Sequence, residues 1–417
     1  MNAPNVLFIA HGHPAFVAGG TELASHDLFR AWRAAGNEGS FVGCVTRLHR
    51  EARSSTALQA VKGSANEFLL QVGGFDPFML AQTDTTQFVS SFSELLQQAA
   101  PDIVHFHHFT QIGIDALALV RRVRPAARIV ATLHDYHLIC ANDGLMTTTA
   151  GALCARASID ACHACFGDIP AQRFALRHRH LENLLGLVDG FISPSHFLKS
   201  RFVAWGLPES RIEVIANAVP AATIVADCQD RPRRIFGLFA NLAPHKGAML
   251  ALDAVKQITD VEDFELRIHG ANLYREPGFT AALDTALAAA GPQVAALGPY
   301  GRHELARMMA AVDWVVVPST WWENSPLVIL EAFRHGRPVI TADIGGMAEL
   351  VRHDADGLLF RARDPRDLAR TLRRAATETG LWDRLARQLP VPPTPQDSVA
   401  PHRALYASLI ATRAQAA

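Results

Sequence analysis

Short apolar runs alternate with longer amphipathic stretches along the chain. VLFIA (6–10), IVHFH (103–107), RIVATLH (128–134) and FISPS (191–195) are continuous apolar blocks. The same rhythm resumes in IFGLFAN (235–241), FELRIHG (264–270), WVVVPS (314–319) and PVITAD (338–343). Unbroken apolar strands with helices between them predict parallel sheets covered on both faces. Two such sets are visible, separated by ANAVPAATIVADCQDRPRR (216–234), which is rich in Ala, Pro and charge. The pattern predicts an α/β protein of two Rossmann-like domains facing a central cleft: 1–218, a linker at 219–234, and 235–390. Four prolines in LPVPPTPQ (389–396) interrupt the chain before a last helix over 397–417. Ligands of open α/β sheets bind beyond the carboxyl ends of the strands, so the informative residues should follow strands.

Composition narrows the class. A chain of 417 residues can bury two cores, and 49% apolar with 19% charged residues is globular. The 39 basic residues against 40 acidic give no nucleic-acid surface. No apolar run reaches the roughly 18 residues of a membrane span. MNAPNVLFIAHG reads as a first strand, not a signal peptide, so the expected location is cytoplasmic and the six cysteines are expected reduced unless they hold metal.

WWENSPLVILEAF (321–333) is mostly apolar yet carries Glu323 and Glu331, with seven residues between them. Ser325 is placed as a helix N-cap and Pro326 at the first helical position, where a missing N–H costs nothing. The helix then runs to about His335 and stops at Gly336. Its first free amides, on Leu327 and Val328, emerge just past a strand and form an anion site, most simply for phosphate. Carboxylates beside a phosphate need another task, such as accepting hydrogen bonds from sugar or ribose hydroxyls.

E-N-S-P-L-V-I-L-E-A resembles the E-x7-E signature of the retaining glycosyltransferases of the GT-B fold, family 4. Other segments match in the same order: GGTE (19–22), LHD (133–135), SPSHFLK (193–199), VIANAV (214–219), NLAPHKG (241–247), LGPYGRHELARMMAAVD (297–313) and IGGMAELVRHDADGLLF (344–360). The resemblance implies a GT-B fold whose C-terminal helix crosses back to the first domain. It implies glycosyl transfer from a nucleoside-diphosphate sugar to an acceptor hydroxyl, with retention, in polysaccharide or glycoconjugate assembly. Gly19 and Gly20 would lie against the donor, where glycine lets backbone approach closely, with Thr21 as a cap. His134 would stand beside the reacting sugar. Lys246 would neutralise the diphosphate, helped by the amides of Ser325, Leu327 and Val328. Glu323 would bind the transferred sugar and Glu331 the ribose. No catalytic metal is implied. The chain departs from the family at Ala240 and Asn241, where glycine and arginine are expected; Arg302, Arg275 and His245 are the candidate replacements for the lost charge. The acceptor is expected to be a sugar or a lipid-linked species. An epimerase on this scaffold, or a binding protein that has lost turnover, are the competing readings.

Cys140, Cys154, Cys162 and Cys165 fall in an insertion at 140–170 and suit a structural zinc or an iron–sulfur cluster, with unligated cysteines or a redox pair as the alternatives. Cys44 and Cys228 read as small buried residues. QRFALRHRHLENLL (172–185) reads as a solvated basic helix, with peripheral contact to an anionic membrane as the alternative. His105, His107 and His108 read as strand-end residues and not as ligands of one metal.

Overall fold

A computed structural model describes residues 3–17, 19–46, 49, 57–222, 232–272 and 276–416. Cys228, Arg275 and most of the expected linker lie outside the described residues. Two compact units emerge: 1–218 together with 393–417, and 219–392.

The first unit is built on an eight-stranded sheet. Its order is Ile212–Val214, Gly190–Ser193, Arg128–Thr132, Ile103–Phe106, Val6–Ala10, Gly39–Val45, Glu67–Gln71 and Leu58–Ala60. Every pairing is parallel except that of the last, short strand. Val6–Ala10 is completely buried, as an unbroken apolar strand covered on both faces must be. The helix Gly20–Ala34 packs on it through Leu28, Phe29 and Trp32. The C-terminal helix, Pro395–Ala416, belongs to this unit. Thr394 and Asp397 cap it reciprocally, the Thr394 hydroxyl taking the Asp397 amide (3.2 Å) and the Asp397 carboxylate taking the Thr394 amide (2.8 Å). Tyr406 of that helix is fully buried against Trp32, with ring centroids 5.4 Å apart.

The second unit carries six parallel strands in the order Val294–Gly298, Glu265–His269, Ile235–Phe239, Trp314–Val317, Val339–Ala342 and Gly357–Phe360. Helices including Ala248–Val255, Leu327–Arg334 and Pro365–Thr377 close its core.

In each sheet the chain first winds one way and then returns to the other side of its starting strand. The reversals fall between Val6–Ala10 and Ile103–Phe106, and between Ile235–Phe239 and Trp314–Val317. A crevice opens at the carboxyl end of such a switch point. The loops leaving these four strands carry His11, His107 and His108 in the first unit, and Lys246 and Glu323 in the second.

Several sequence expectations change. The strands Gly39–Val45 and Glu67–Gln71 have weaker apolar runs than their neighbours and are not among those predicted. The predicted strands end earlier than drawn, at Phe106, Thr132 and Ser193, so His107 and His134 stand in the loops beyond. His105 lies inside its strand, bonded to Tyr406 Oη (2.7 Å) and Thr132 Oγ1 (2.7 Å). Arg177 is not on a solvated face. It turns inward, 4% exposed, and donates to the carbonyls of Phe78, Leu138 and His137. Among the described residues no helix is long and apolar enough to cross a membrane.

Candidate active site

The second unit brings Lys246 and Glu323 together. Lys246 Nζ donates to Glu323 Oε1 at 2.6 Å, and Ser319 Oγ donates to the same oxygen at 2.8 Å. Glu323 is only 6% exposed. Burial pushes its carboxyl up, but the Lys246 charge and these hydrogen bonds outweigh that and hold it below its ordinary range. The Lys246 ammonium lies 5.2 Å from the centroid of the Trp321 ring. Gly247 gives the lysine loop its sharp turn, with φ +78; a Cβ there would run into the carbonyl oxygen of Pro318. The Thr320 amide donates to the His245 carbonyl (2.8 Å), joining this loop to the one that carries Glu323.

The 323–325 loop is held from its other side by a glycine pair. Gly346 N donates to Glu323 O at 2.7 Å. A Cβ on Gly346 would overlap the carbonyl oxygen of Asn324, and one on Gly345 (φ +61) would come 2.8 Å from Glu323 O. Two segments that read as separate motifs in the sequence are thus one backbone clamp.

The helix after this loop spans Leu327–Arg334, and its N-cap is Pro326, with φ −65 and ψ 121. Ser325 is therefore not the N-cap; extended backbone continues one residue further than expected, through the proline, whose ring fixes φ but leaves ψ free. The consequence for the anion site is small, because Leu327 and Val328 are now the first two helical residues and have no acceptor within the helix. Glu331 lies one turn on and is close enough to raise the Tyr300 hydroxyl, on which burial is the larger influence. Asn241 follows Ile235–Phe239, and its carbonyl accepts the Ala243 amide (2.8 Å). His245 is pushed down to about 4, first by burial and then by Lys246, so it is neutral and cannot replace the missing arginine charge. Arg302 opens the turn Arg302–Glu304 on the surface.

The first unit gathers a histidine-rich cluster at its switch point. His134 Nε2 is 3.1 Å from His107 Nδ1, and burial pushes His134 down to about 3. Asp135 accepts from His108 Nε2 (2.5 Å) and faces His137 Nδ1 (2.8 Å). Burial raises its carboxyl, but the two histidines hold it well below the usual range. Glu22, 2% exposed, bonds His11 Nε2 at 3.0 Å. Its carboxylate fills the space that a Cβ on Gly12 or Gly19 would need. Gly19 is the N-cap of the helix that starts at Gly20, so Thr21 is inside the helix and is not its cap. Glu22 and His11 were not among the sequence candidates. The signal was present in GGTE, where an acid closes a double-glycine turn.

Among the described residues, two groups hold three ligand-type atoms within 4.8 Å: His13, His26 and Glu67, and His108, Asp135 and His137. Tautomers argue against metal at either. His13 Nδ1 accepts the Ala15 amide (3.2 Å) and His108 Nδ1 accepts the Thr110 amide (2.9 Å). A ring nitrogen that accepts leaves the proton on Nε2, the atom facing the carboxylate. Both groups are hydrogen-bond arrays. The sulfur atoms of Cys140, Cys154, Cys162 and Cys165 form no group this tight, and none of them is in a disulfide. Cys44 is buried as expected.

The fold, two α/β units each built on a doubly wound sheet, is of the GT-B class. A profile described as Glycosyltransferase Family 4 matches residues 18–223, and one described as Glycosyl transferases group 1 matches residues 233–378. The chain belongs to this glycosyltransferase family. It is similar to D-inositol 3-phosphate glycosyltransferases: 44% identical over 96 residues to that of a Nocardioides species, covering 23% of this chain and 21% of the relative. To that of Salinispora arenicola it is 31% identical over 206 residues, covering 43% of this chain and 44% of the relative. The chain thus matches less than half the length of these relatives. In fold it is similar to HepE of Anabaena in complex with UDP and glucose, with TM-score 0.65 and 19% identity over 99% of each chain. It is likewise similar to sucrose-phosphate synthase of Thermosynechococcus elongatus, with TM-score 0.68 and 18% identity over 99% of this chain and 97% of that one.

Proposed function

We propose that the protein transfers a glycosyl residue from a nucleoside-diphosphate sugar to an acceptor hydroxyl, with retention of anomeric configuration. The observation that carries this reading is the Lys246–Glu323 pair, set beside the open amides of Leu327 and Val328. A half-buried cation and a helix start together suit a diphosphate leaving group, on which charge grows as the glycosidic bond breaks. A metal is not required for that neutralisation. Glu323, kept ionised, accepts from hydroxyls of the transferred sugar, and Glu331 from the ribose. Gly19, Gly20, Asn241 and Ser325 contribute close backbone or amide contacts to the donor. His134, neutral, bonds a sugar hydroxyl. With no carboxylate assigned as a nucleophile, the leaving phosphate takes the acceptor proton on the same face as departure.

The acceptor is a sugar or lipid-linked species in polysaccharide or glycoconjugate assembly. UDP-glucose and inositol phosphates enter the panel first, because similar proteins carry those names. The test is release of nucleoside diphosphate from UDP-, GDP-, ADP- and dTDP-sugars with and without acceptor, followed by NMR of the product's anomeric proton. Acceptor-dependent release with a retained anomer supports the reading. Turnover of donor alone to an epimer replaces it with an isomerase. Failure of every nucleotide to bind makes Asn241 the mark of a disabled donor site.

A further inference from the structure

The insertion after Asp135 holds four cysteines for which the transferase chemistry has no use. The Cys140 amide donates to Tyr136 O (2.7 Å) and closes a turn. An antiparallel bridge between Thr147 and Leu153, with the Cys154 amide donating to Met146 O (2.8 Å), folds the chain back on itself. The helix Ile159–Phe166 follows, capped by Ser158 Oγ accepting the Ala161 amide (3.2 Å). It presents Cys162 and Cys165 on one face, three residues apart. Cys165 Sγ accepts the Thr149 amide at 3.2 Å, tying the helix to the folded-back segment. Burial raises the Cys140 and Cys162 thiols, and the sulfurs lie close enough to add to it, Cys154 acting on Cys140 and both Cys140 and Cys154 acting on Cys162.

Beyond these contacts, Arg201 Nη1 donates to Ala155 O (3.0 Å) and His163 Nδ1 meets Ile169 O (2.8 Å), yet the segment has no core of its own. Every residue from Thr148 to Pro170 is at least partly exposed, and the helix Ile159–Phe166 buries no residue. Phe166 of this helix meets Phe174, with ring centroids 5.8 Å apart. Eight residues are fewer than the roughly 12 a helix needs to be even marginally stable alone. Segments with too small a core are commonly stapled by disulfides or metal, and none of these cysteines is in a disulfide.

We propose that Cys140, Cys154, Cys162 and Cys165 bind one zinc ion, which fixes the shape of this insertion beside the Asp135–His137 pair and takes no part in catalysis. Each thiol gives its proton to solvent as its sulfur–zinc bond forms, so the site is Zn2+ on four thiolates with net charge −2. The sulfurs stand more loosely than bound ligands do, and binding draws them together, since ion binding and local folding are one equilibrium. Arg177 supplies the compensating charge. It is buried, it feels both Cys140 and Cys162, and its guanidinium holds the carbonyls of His137 and Leu138. Gly144 packs directly on His137, so order in the insertion is passed to the residue that faces Asp135.

The proposal goes beyond the transferase reading and does not rest on it. The full chain is purified reduced and without chelator, and its metal is measured by elemental analysis. One zinc per chain is expected, lost in Cys162→Ser and in Cys165→Ser and retained in Cys44→Ser. Cobalt substitution should give the visible bands of a tetrahedral thiolate site, and limited proteolysis should cut within 140–170 only after zinc removal. The proposal is overturned by a metal-free parent protein with four reactive thiols, by iron–sulfur absorbance, or by equal zinc loss in Cys44→Ser. The parent's own metal content decides the matter even where a variant does not fold.

Discussion

Lys246 and Glu323 are 77 residues apart in sequence and 2.6 Å apart in space. A buried carboxylate with one ammonium partner is costly to leave alone. Removing one member of such a pair costs more than replacing both, because the remaining charge stays buried without compensation. Lys246→Met is expected to lower the melting temperature and to cut kcat/KM by about 100- to 1,000-fold, the scale of a lost transition-state charge contact. The double variant Lys246→Met/Glu323→Gln should regain most of the melting temperature and none of the activity. Activity that returns with stability would show that the pair is only structural.

Gly346→Ala forces a methyl group into the carbonyl of Asn324 and displaces the loop that carries Glu323. Overpacking of this kind costs about 1–3 kcal/mol. The donor KM should rise as well. Gly278→Ala is the control, since a Cβ there meets open space. Equal urea midpoints for the two variants would dispose of the clamp.

His134 is neutral at any pH above about 3. His134→Asn should reduce kcat/KM by roughly ten- to a hundredfold, the worth of one or two hydrogen bonds to a polar substrate. It should leave the shape of the pH profile between 5 and 8 unchanged. A wild-type limb near pH 6.5 that vanishes in the variant would mean that this histidine titrates during turnover.

Burial depresses His105, His107, His134 and His402, the last two to about 3 and about 4. Their folded pKa values lie below the unfolded value of about 6.5. The unfolded chain therefore takes up protons first, and the stabilisation present above about pH 6.5 is lost as pH falls. Each histidine that stays neutral contributes up to about 1.4 kcal/mol per pH unit in that window. Burial lowers His137, but the Asp135 charge, its hydrogen bond and the nearby Asp143 together outweigh that and raise it, so it runs the other way: its contribution is full below about pH 6.5 and lost as pH rises through its folded value. Among the described residues His13, His108, His245, His269 and His335 are lowered as well, so the depressed histidines outnumber the raised one, and a lower unfolding midpoint in urea is expected at pH 5 than at pH 7. A midpoint that is flat or higher at pH 5 contradicts the assignment.

Tyr406→Phe removes the hydroxyl that His105 Nδ1 meets at 2.7 Å within the buried contact between the C-terminal helix and the first sheet. An orphaned buried partner costs about 1–3 kcal/mol. Thermal unfolding should show that loss; an unchanged melting temperature would mean the hydrogen bond adds nothing net.

Legible in the residues were the alternation of strand and helix, the segment from Glu323 to Glu331, the helix start that frees Leu327 and Val328, and the glycine turn at Gly19. Each depends on a period or a backbone preference that acts over a few residues. Tertiary structure alone decided that Lys246 reaches Glu323, that Gly346 closes on Asn324, that Glu22 is held by His11, and that His105 is capped by Tyr406 from 301 residues away. Those pairings follow from which strands lie side by side. Apolar runs ensure that strands are buried, but one buried strand looks much like another, so their order is set by the packing of the whole unit. The same reason explains Arg177, which sits among basic neighbours in sequence and turns inward because three carbonyls wait beneath it.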